Sequence, residues 1–285
     1  MSSAVRRNGP SVQGSALASG GRRPAQLNAA FVLHQWDWSE TSLIVDLFTR
    51  EQGRVAAVAK GAKRPYSQLR PVLMPFQRLL VATARAKAEE GADIVTLRSA
   101  EYAGAGATLP PARLITGFYL NELLMKLLAR GDAHERLFDA YADTLMALAA
   151  ADDESPLRAF ELLLLRETGV LPDLACNTTT QERLQPGRGY RLHGEAGLVA
   201  ASAGDESTLG AALCLGLQAA LDADDIAALR RCCATALPAL KLQLRSLLHY
   251  HLGSPPLQTR QMMLDVRRLL DAASPPAARQ PPESP

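Results

Sequence analysis

Two periodicities divide the chain. From Leu27 to about Tyr102 apolar positions alternate with a period near two, and beyond Pro110-Pro111 they recur at three- and four-residue spacing. In the first part, Leu27 to Trp38 and Thr41 to Thr49 carry Phe31, Val32, Trp36, Ile44, Val45 and Phe48 around the polar turn Asp37-Trp38-Ser39-Glu40, which predicts a hairpin. Glu51-Gln52-Gly53 supplies a second tight connection into Arg54 to Ala59, and Met74 to Ala84 and Asp93 to Ser99 supply two more strands. Five short strands with a long connection after the third fit a small Greek-key barrel of the OB type. An SH3-like barrel fits the strand count almost as well.

In the second part, Leu114, Phe118, Leu120, Leu123, Leu124, Leu127 and Leu128 follow Pro111, a residue that a first helical turn tolerates. Further helices are expected over His134 to Ala149 and over Ser155 to Thr168, the latter ended by Gly169. Between Leu171 and Asp205 the pattern turns irregular, with Gly189-Tyr-Arg-Leu-His193 able to pair with Gly197-Leu-Val-Ala200. Helices resume near Ser207, and Ala236 to Leu252 is rich in leucine and bases. The expected organisation is α+β and multidomain: a disordered basic tail over 1–26, an OB-fold barrel over 27–105, an α-helical domain over 106–270 with an irregular insertion at about 171–205, and a disordered Pro- and Ala-rich tail over 271–285.

Composition narrows the class. A chain of 285 residues, 47% hydrophobic and near zero in mean hydropathy, buries a core without disulfides or metals. Cys176, Cys214, Cys232 and Cys233 include no CxxC pair and read as small packing residues, with a reducing cytoplasm as the natural setting. No window approaches the roughly 20 uncharged apolar residues of a membrane span. The first 26 residues hold Arg6, Arg7, Arg22 and Arg23 and no acid. They resemble a transit peptide superficially and read as a basic tail with weak attraction for polyanions.

Charge is concentrated in one place. The chain carries a net charge of +2, yet Arg50 to Arg70 alone holds six cations and one acid. Its first half alternates like a strand, and its second half, with Gly61, Pro65 and Ser67, reads as a flexible loop. Arg50, Arg54, Lys60, Lys63, Arg64 and Arg70 are the candidate phosphate contacts, with Tyr66 as a candidate stacking platform. Trp36, Trp38 and Phe76 are weaker stacking candidates, since strand aromatics are more often core. Arg113, Lys126, Arg130, Arg230, Arg231, Lys241 and Arg245 are candidates for extending a basic track onto the helices. The chain lacks a GxxxxGK[ST] loop, a GxGxxG turn, HExxH and GxSxG, so no enzymatic activity and no cofactor are expected. Asp152-Asp153-Glu154 and Asp222, Asp224 and Asp225 fall at helix edges and read as caps.

Three ordered stretches carry a resemblance: Glu40 to Arg54 with Lys60-Gly-Ala-Lys-Arg64; Gly117-Phe-Tyr-Leu-Asn-Glu-Leu123 followed by Leu137-Phe-Asp-Ala-Tyr141; and Leu252-Gly-Ser-Pro-Pro-Leu-Gln-Thr-Arg260. Through them the chain resembles the bacterial recombination mediators of the RecO family over about Ala30 to Leu270. The resemblance implies an N-terminal OB-fold, a helical domain and a small module near Cys176 that binds zinc in many members. Here that module opens Cys176-Asn-Thr-Thr179, and one thiolate is no zinc site. Also implied are binding of single-stranded DNA and, more weakly, duplex DNA, strand annealing, and cooperation with RecR in loading RecA onto DNA covered by single-strand-binding protein (SSB), whose C-terminal tail docks on the helical domain. The alternatives are a protein-docking adaptor, or an OB protein that binds RNA.

Overall fold

The computed structural model describes residues 27–84, 94–104, 106–150, 153–202, 204–205, 207–253 and 257–273. The tail expected at 1–26 lies outside them, as does 274–285 of the tail expected at the other end.

The alternating half closes into a barrel. Strands β1 (Leu27–Asp37), β2 (Leu43–Thr49) and β3 (Gly53–Ala59) form an antiparallel meander, and the short helix α1 (Leu69–Val72) leads into β4 (Leu79–Ala84) and β5 (Ile94–Tyr102). β5 pairs parallel to β3 and antiparallel to β4, and β4 returns to β1, giving the order β1-β2-β3-β5-β4. A five-stranded barrel in this Greek-key order is OB-like, which removes the SH3-like alternative. The strand expected from Met74 begins only at Leu79, because Pro75 has no N–H to donate and Phe76 takes a positive φ of 66° that breaks the extended run. α1, which the sequence pattern did not single out, sets Leu69 and Val72 against the barrel interior, with Leu73 buried just after it.

Both faces of β1 and β2 are buried, each against a different partner. Ala30, Val32, Val45 and Leu47 point into the barrel, while Phe31, Leu33 and Phe48 join the core of the helical domain. The helices begin with α2 (Pro111–Leu127), α3 (Glu135–Ala150) and α4 (Ser155–Glu167). Phe31 meets Phe138 and Tyr141 of α3 at ring-centroid distances of 5.1 and 5.0 Å, and Phe48 meets Phe138 at 5.4 Å. Buried Asn121 on α2 bridges the two halves: its amide donates to the Leu33 carbonyl at 2.9 Å and its oxygen accepts from the Tyr141 hydroxyl at 2.5 Å. α4 is buried from Ser155 to Leu165 and is the hub of the helical core. Gly169 follows with φ 73°, the left-handed stop that the sequence anticipates.

The irregular insertion forms β6 (Gly189–His193) and β7 (Gly197–Ala200), paired as expected, with a two-residue β8 (Leu209–Gly210) on the other edge of β6. Hydrogen bonds organise it around Cys176: Thr178 donates its amide to the Leu198 carbonyl at 2.7 Å and accepts the Leu198 amide on its hydroxyl at 2.8 Å. The Gln243 side chain accepts from the Leu192 amide at 2.7 Å and ties the sheet to the helices. Then follow α5 (Ala211–Asp222), α6 (Ile226–Ala234), α7 (Leu237–Leu252) and α8 (Gln258–Ala273), the last running three residues into the expected tail. Cys214 and Cys233 are buried, and burial pushes both thiols up to about 12. Of the acids expected as caps, Asp225 accepts the Ala228 amide at 2.8 Å and Asp153 accepts that of Ser155 at 2.8 Å. Asp152 lies outside the described residues. Asp222 is a correction: it ends α5, the wrong pole of the helix for an acid, and is matched instead by Arg166 at 3.1 Å.

Candidate nucleic-acid interface

The basic segment divides in two at the barrel wall. Arg50 turns toward α3, where its guanidinium meets Glu135 at 2.7 Å and Asp139 at 3.0 Å, and the hydrogen bond and charge of Asp139 raise its pKa. Arg54 lies on the outer face of β3 against Asp46, which is fully buried, at 2.9 Å. The same guanidinium donates to the carbonyl of Met125 and, at 3.2 Å, to that of Leu128, the unpaired carbonyl end of α2. Arg130 stands 3.8 Å from the same carboxylate. Arg50 and Arg54, expected to contact phosphate, are therefore engaged with carboxylates of the joint between barrel and helices. The tight approach is visible at Gly53, with φ 62°, where a Cβ would fall 1.6 Å from the Asp132 carbonyl oxygen.

The second half of the segment faces solvent. Rather than a loose loop, residues 59–67 form successive turns, with Ala62 buried in the barrel core and hydrogen bonds from the Arg64 amide to the Gly61 carbonyl (3.1 Å) and from the Ser67 amide to the Arg64 carbonyl (3.0 Å). Lys63 ties these turns to the β1–β2 connection through Asp37 at 3.1 Å and the Ser39 and Thr41 carbonyls, so it is half-buried and paired. Lys60, Arg64 and Arg70 are exposed and have no carboxylate partner among the described residues. Tyr66 is 95% exposed beside an open concavity lined by Pro65, Gln68, Arg70 and Pro71.

Strand register brings aromatic surface to the same end. Trp36 opposes Ile44, which opposes Val58, on the outer face of the barrel, and Lys60 follows Val58 two residues on. Trp36 is 40% exposed with its ring edge-on to His34 at 4.6 Å, and Trp38 in the adjoining turn is 59% exposed. Phe76 is buried against Phe118 at 5.0 Å and is thereby removed from the stacking candidates. The result is a surface with three unpaired cations, a fully presented phenol and two partly presented indoles, a combination that can follow a phosphate backbone and stack bases.

The helical cations form no single track. Lys126 pairs with Glu122 at 3.5 Å, Arg231 stands 3.9 Å from Asp225, and Arg230 is half-buried near Asp143, its pKa lowered by burial. Arg113, Lys241 and Arg245 converge instead on a groove of about 200 Å³ between α2, α4, α7 and α8, together with Arg158 and Arg260. Leu148, Leu157, Leu248, Leu252 and Leu257 line it with apolar surface. Arg158 is backed by fully buried Glu161 at 2.7 Å, which also accepts from the Tyr119 hydroxyl at 2.6 Å. Burial raises the pKa of both Glu161 and Tyr119, and Arg158 lowers each against that trend. One wall belongs to α8, whose first-turn amides at Gln258 and Thr259 donate to the Glu122 carboxylate at 2.8 and 2.9 Å. Sequence reasoning missed Arg158 and Arg260 because each sits alone among apolar and polar neighbours, and only the folding of four helices assembles them.

Among the described residues no three His, Cys, Asp or Glu side chains gather where a metal ion could sit, and no described helix is long and apolar enough to cross a membrane.

Comparison with known proteins gives this architecture relatives. The family model Recombination protein O N terminal matches residues 25–104, and Recombination protein O C terminal matches residues 111–261, so the boundary between them falls between barrel and α2. The chain is 51% identical over 245 residues to the DNA repair protein RecO of Verminephrobacter eiseniae, spanning 84% of this chain and 96% of that protein. Against the DNA repair protein RecO of Acidovorax ebreus the identity is 48% over 254 residues, again across 84% and 96% of the two chains. For the same protein of Polaromonas naphthalenivorans it is 49% over 246 residues, with the same shares. With both family models matched in order and half of the positions shared along nearly the whole length of these relatives, the chain belongs to the RecO family of DNA repair and recombination proteins.

Proposed function

We propose that the protein is a recombination mediator that binds single-stranded DNA at the outer end of its barrel, anneals complementary strands there, and assists RecR in loading RecA onto SSB-covered DNA. The observation that carries this reading is the joint exposure of Lys60, Arg64, Tyr66 and Arg70 on an OB barrel beside Trp36 and Trp38. Two DNA strands repel each other through their phosphates, and cations laid along one of them weaken that repulsion while the base edges stay available for pairing. No chemical step is required, so the protein acts as a binding protein in the bacterial cytoplasm, at the nucleoid. Nucleotide-hydrolysis and nuclease assays are expected to give no turnover. Three unpaired cations on phosphates give a slope of about −2 for log affinity against log salt on a single strand. Anisotropy titrations of a labelled oligonucleotide at several salt concentrations test this. The Lys60, Arg64, Arg70 triple alanine variant is expected to lose most of the slope while melting like the parent, and a flat salt response in the parent overturns the reading.

The groove supports docking of a partner on the helical domain. Its leucine-lined surface and basic rim suit an acidic peptide with an apolar end, the chemistry of an SSB C-terminal tail. Because this groove and the barrel surface are built from different elements, reversing Arg64 to glutamate is expected to weaken DNA binding and leave peptide binding intact. An adaptor without a DNA role would keep its partners and show no salt-dependent affinity. Preference for RNA over DNA in direct competition would favour the RNA-binding alternative.

A further inference from the structure

The basic rim of the groove contains one acid. Among the described lining residues Glu154 stands alone against Arg113, Arg158, Lys241, Arg245 and Arg260. Its carboxylate grips the Lys241 ammonium with both oxygens, each at 2.9 Å. Lys241 and Arg158 are thus matched by carboxylates of the described residues, and these two carboxylates differ in freedom. Glu161, which backs Arg158 from below, is fully buried and fixed by the Tyr119 hydroxyl. Glu154 sits at the mouth, immediately before α4, with its side chain 39% exposed and no hydrogen bond to the helix start. Only its backbone is held there, its carbonyl accepting the Arg158 amide at 3.1 Å. Burial opposes the charge on Glu154, but the Lys241 hydrogen bond and attraction, with Arg158 and Arg113 behind them, outweigh that and hold its pKa below the ordinary value. The carboxylate is therefore charged at neutral pH, tethered at its backbone and able to swing away at its side chain.

We propose that Glu154 is a self-competitor of the groove: its carboxylate holds Lys241 until a carboxylate of an incoming acidic peptide takes its place, so that capture is an exchange of one ion pair for another. This rests on the reading of the groove as an acidic-peptide site and adds a device that limits its affinity. An exchange of this kind gains less than a fresh ion pair, because the attraction to Lys241 is already satisfied before the peptide arrives. The peptide is held by its apolar end and by Arg245 and Arg260, and is released readily.

Competition differs from simple repulsion by its coupling to Lys241. The probe is a fluorescein-labelled synthetic peptide of several aspartates ending in phenylalanine with a free α-carboxylate, titrated by anisotropy into the full chain. E154Q is expected to tighten binding by about twofold to fivefold, the size of one exposed ion pair. K241A is expected to cost little in the parent, where Lys241 is already occupied, and several-fold in E154Q, where the ammonium is open to the peptide. Equal losses on K241A in both backgrounds mean that Glu154 acts only as a background charge, and overturn the proposal while leaving the groove reading intact. Failure of the peptide to bind any of the four proteins, all melting like the parent, overturns the groove reading and the competitor with it.

Discussion

Replacing Arg54 by alanine separates a structural arginine from a DNA-contacting one. Its side chain is 14% exposed, and the guanidinium is shared between Asp46, whose side chain is fully buried, and the carbonyl end of α2. Removing it leaves a buried carboxylate whose one cationic neighbour among the described residues is Arg130, 3.8 Å away. Breaking a buried pair by deleting one partner costs about 3 to 5 kcal/mol, the charge left behind being the larger part. Two carbonyls of α2 also lose a donor, at about 1 kcal/mol each, while movement of Arg130 toward Asp46 recovers a fraction. A net loss of about 3 kcal/mol lowers the melting temperature by roughly 5 °C in a protein of this size. Urea unfolding followed by circular dichroism measures the loss, and DNA titration on the folded variant measures function. The expected outcome is a destabilised protein whose DNA affinity and salt slope, measured well below its melting temperature, match the parent. An unfolding midpoint that stays put while the salt slope falls by about 0.7 shows Arg54 to be a phosphate contact, and the account of the barrel joint is then wrong.

Three further outcomes follow from the same geometry. Tyr66→Ala is expected to weaken single-stranded DNA binding by about tenfold through loss of a base-stacking platform, with no change in melting, as read by anisotropy and calorimetry. Gly53→Ala forces a methyl group into the Asp132 carbonyl at a positive φ and is expected to cost about 2 kcal/mol or more in urea unfolding. At Glu122, desolvation pushes the pKa up, but the Thr259 hydroxyl and amide, the Gln258 amide and Lys126 together bring it below its ordinary value. A carboxyl depressed in the folded state adds stability above its unfolded pKa of about 4.3 and loses it as pH falls through the lower folded value. Glu122→Gln is therefore expected to be less stable by about 2 kcal/mol at neutral pH, to bind acidic peptide more weakly because the α8 wall is loosened, and to converge with the parent in pH-dependent melts as the pH falls through the depressed folded pKa.

The barrel was legible because its code is local. Period-two alternation from Phe31 to Phe48 and the tight turn at Gly53 act within neighbouring residues, as do the Pro111 start and Gly169 stop of the helices. The failures have a common origin in distance along the chain. Arg50 and Arg54 look like free cations in sequence because their partners are Glu135 and Asp139 in one case and the Met125 and Leu128 carbonyls in the other, more than 70 residues away. Even Asp46, only eight residues from Arg54, carries no sign that its strand face is roofed by helices. Phe76 reads as a strand aromatic until its backbone turns left-handed and its ring enters the space that Gly117 leaves on α2. The groove was invisible for the same reason, since Arg113, Arg158, Lys241 and Arg260 come from four separate helices.

Phe31, Leu33 and Phe48 belong to the helical core although they grow from barrel strands. A gene fragment stopping near residue 105 would present those three side chains to water and strip Asp46 and Arg54 of their roof. The barrel half is thus not a detachable cassette: it can be inherited, shuffled or lost only together with the helices that complete it, and damage on either side of the seam is felt as melting of the whole.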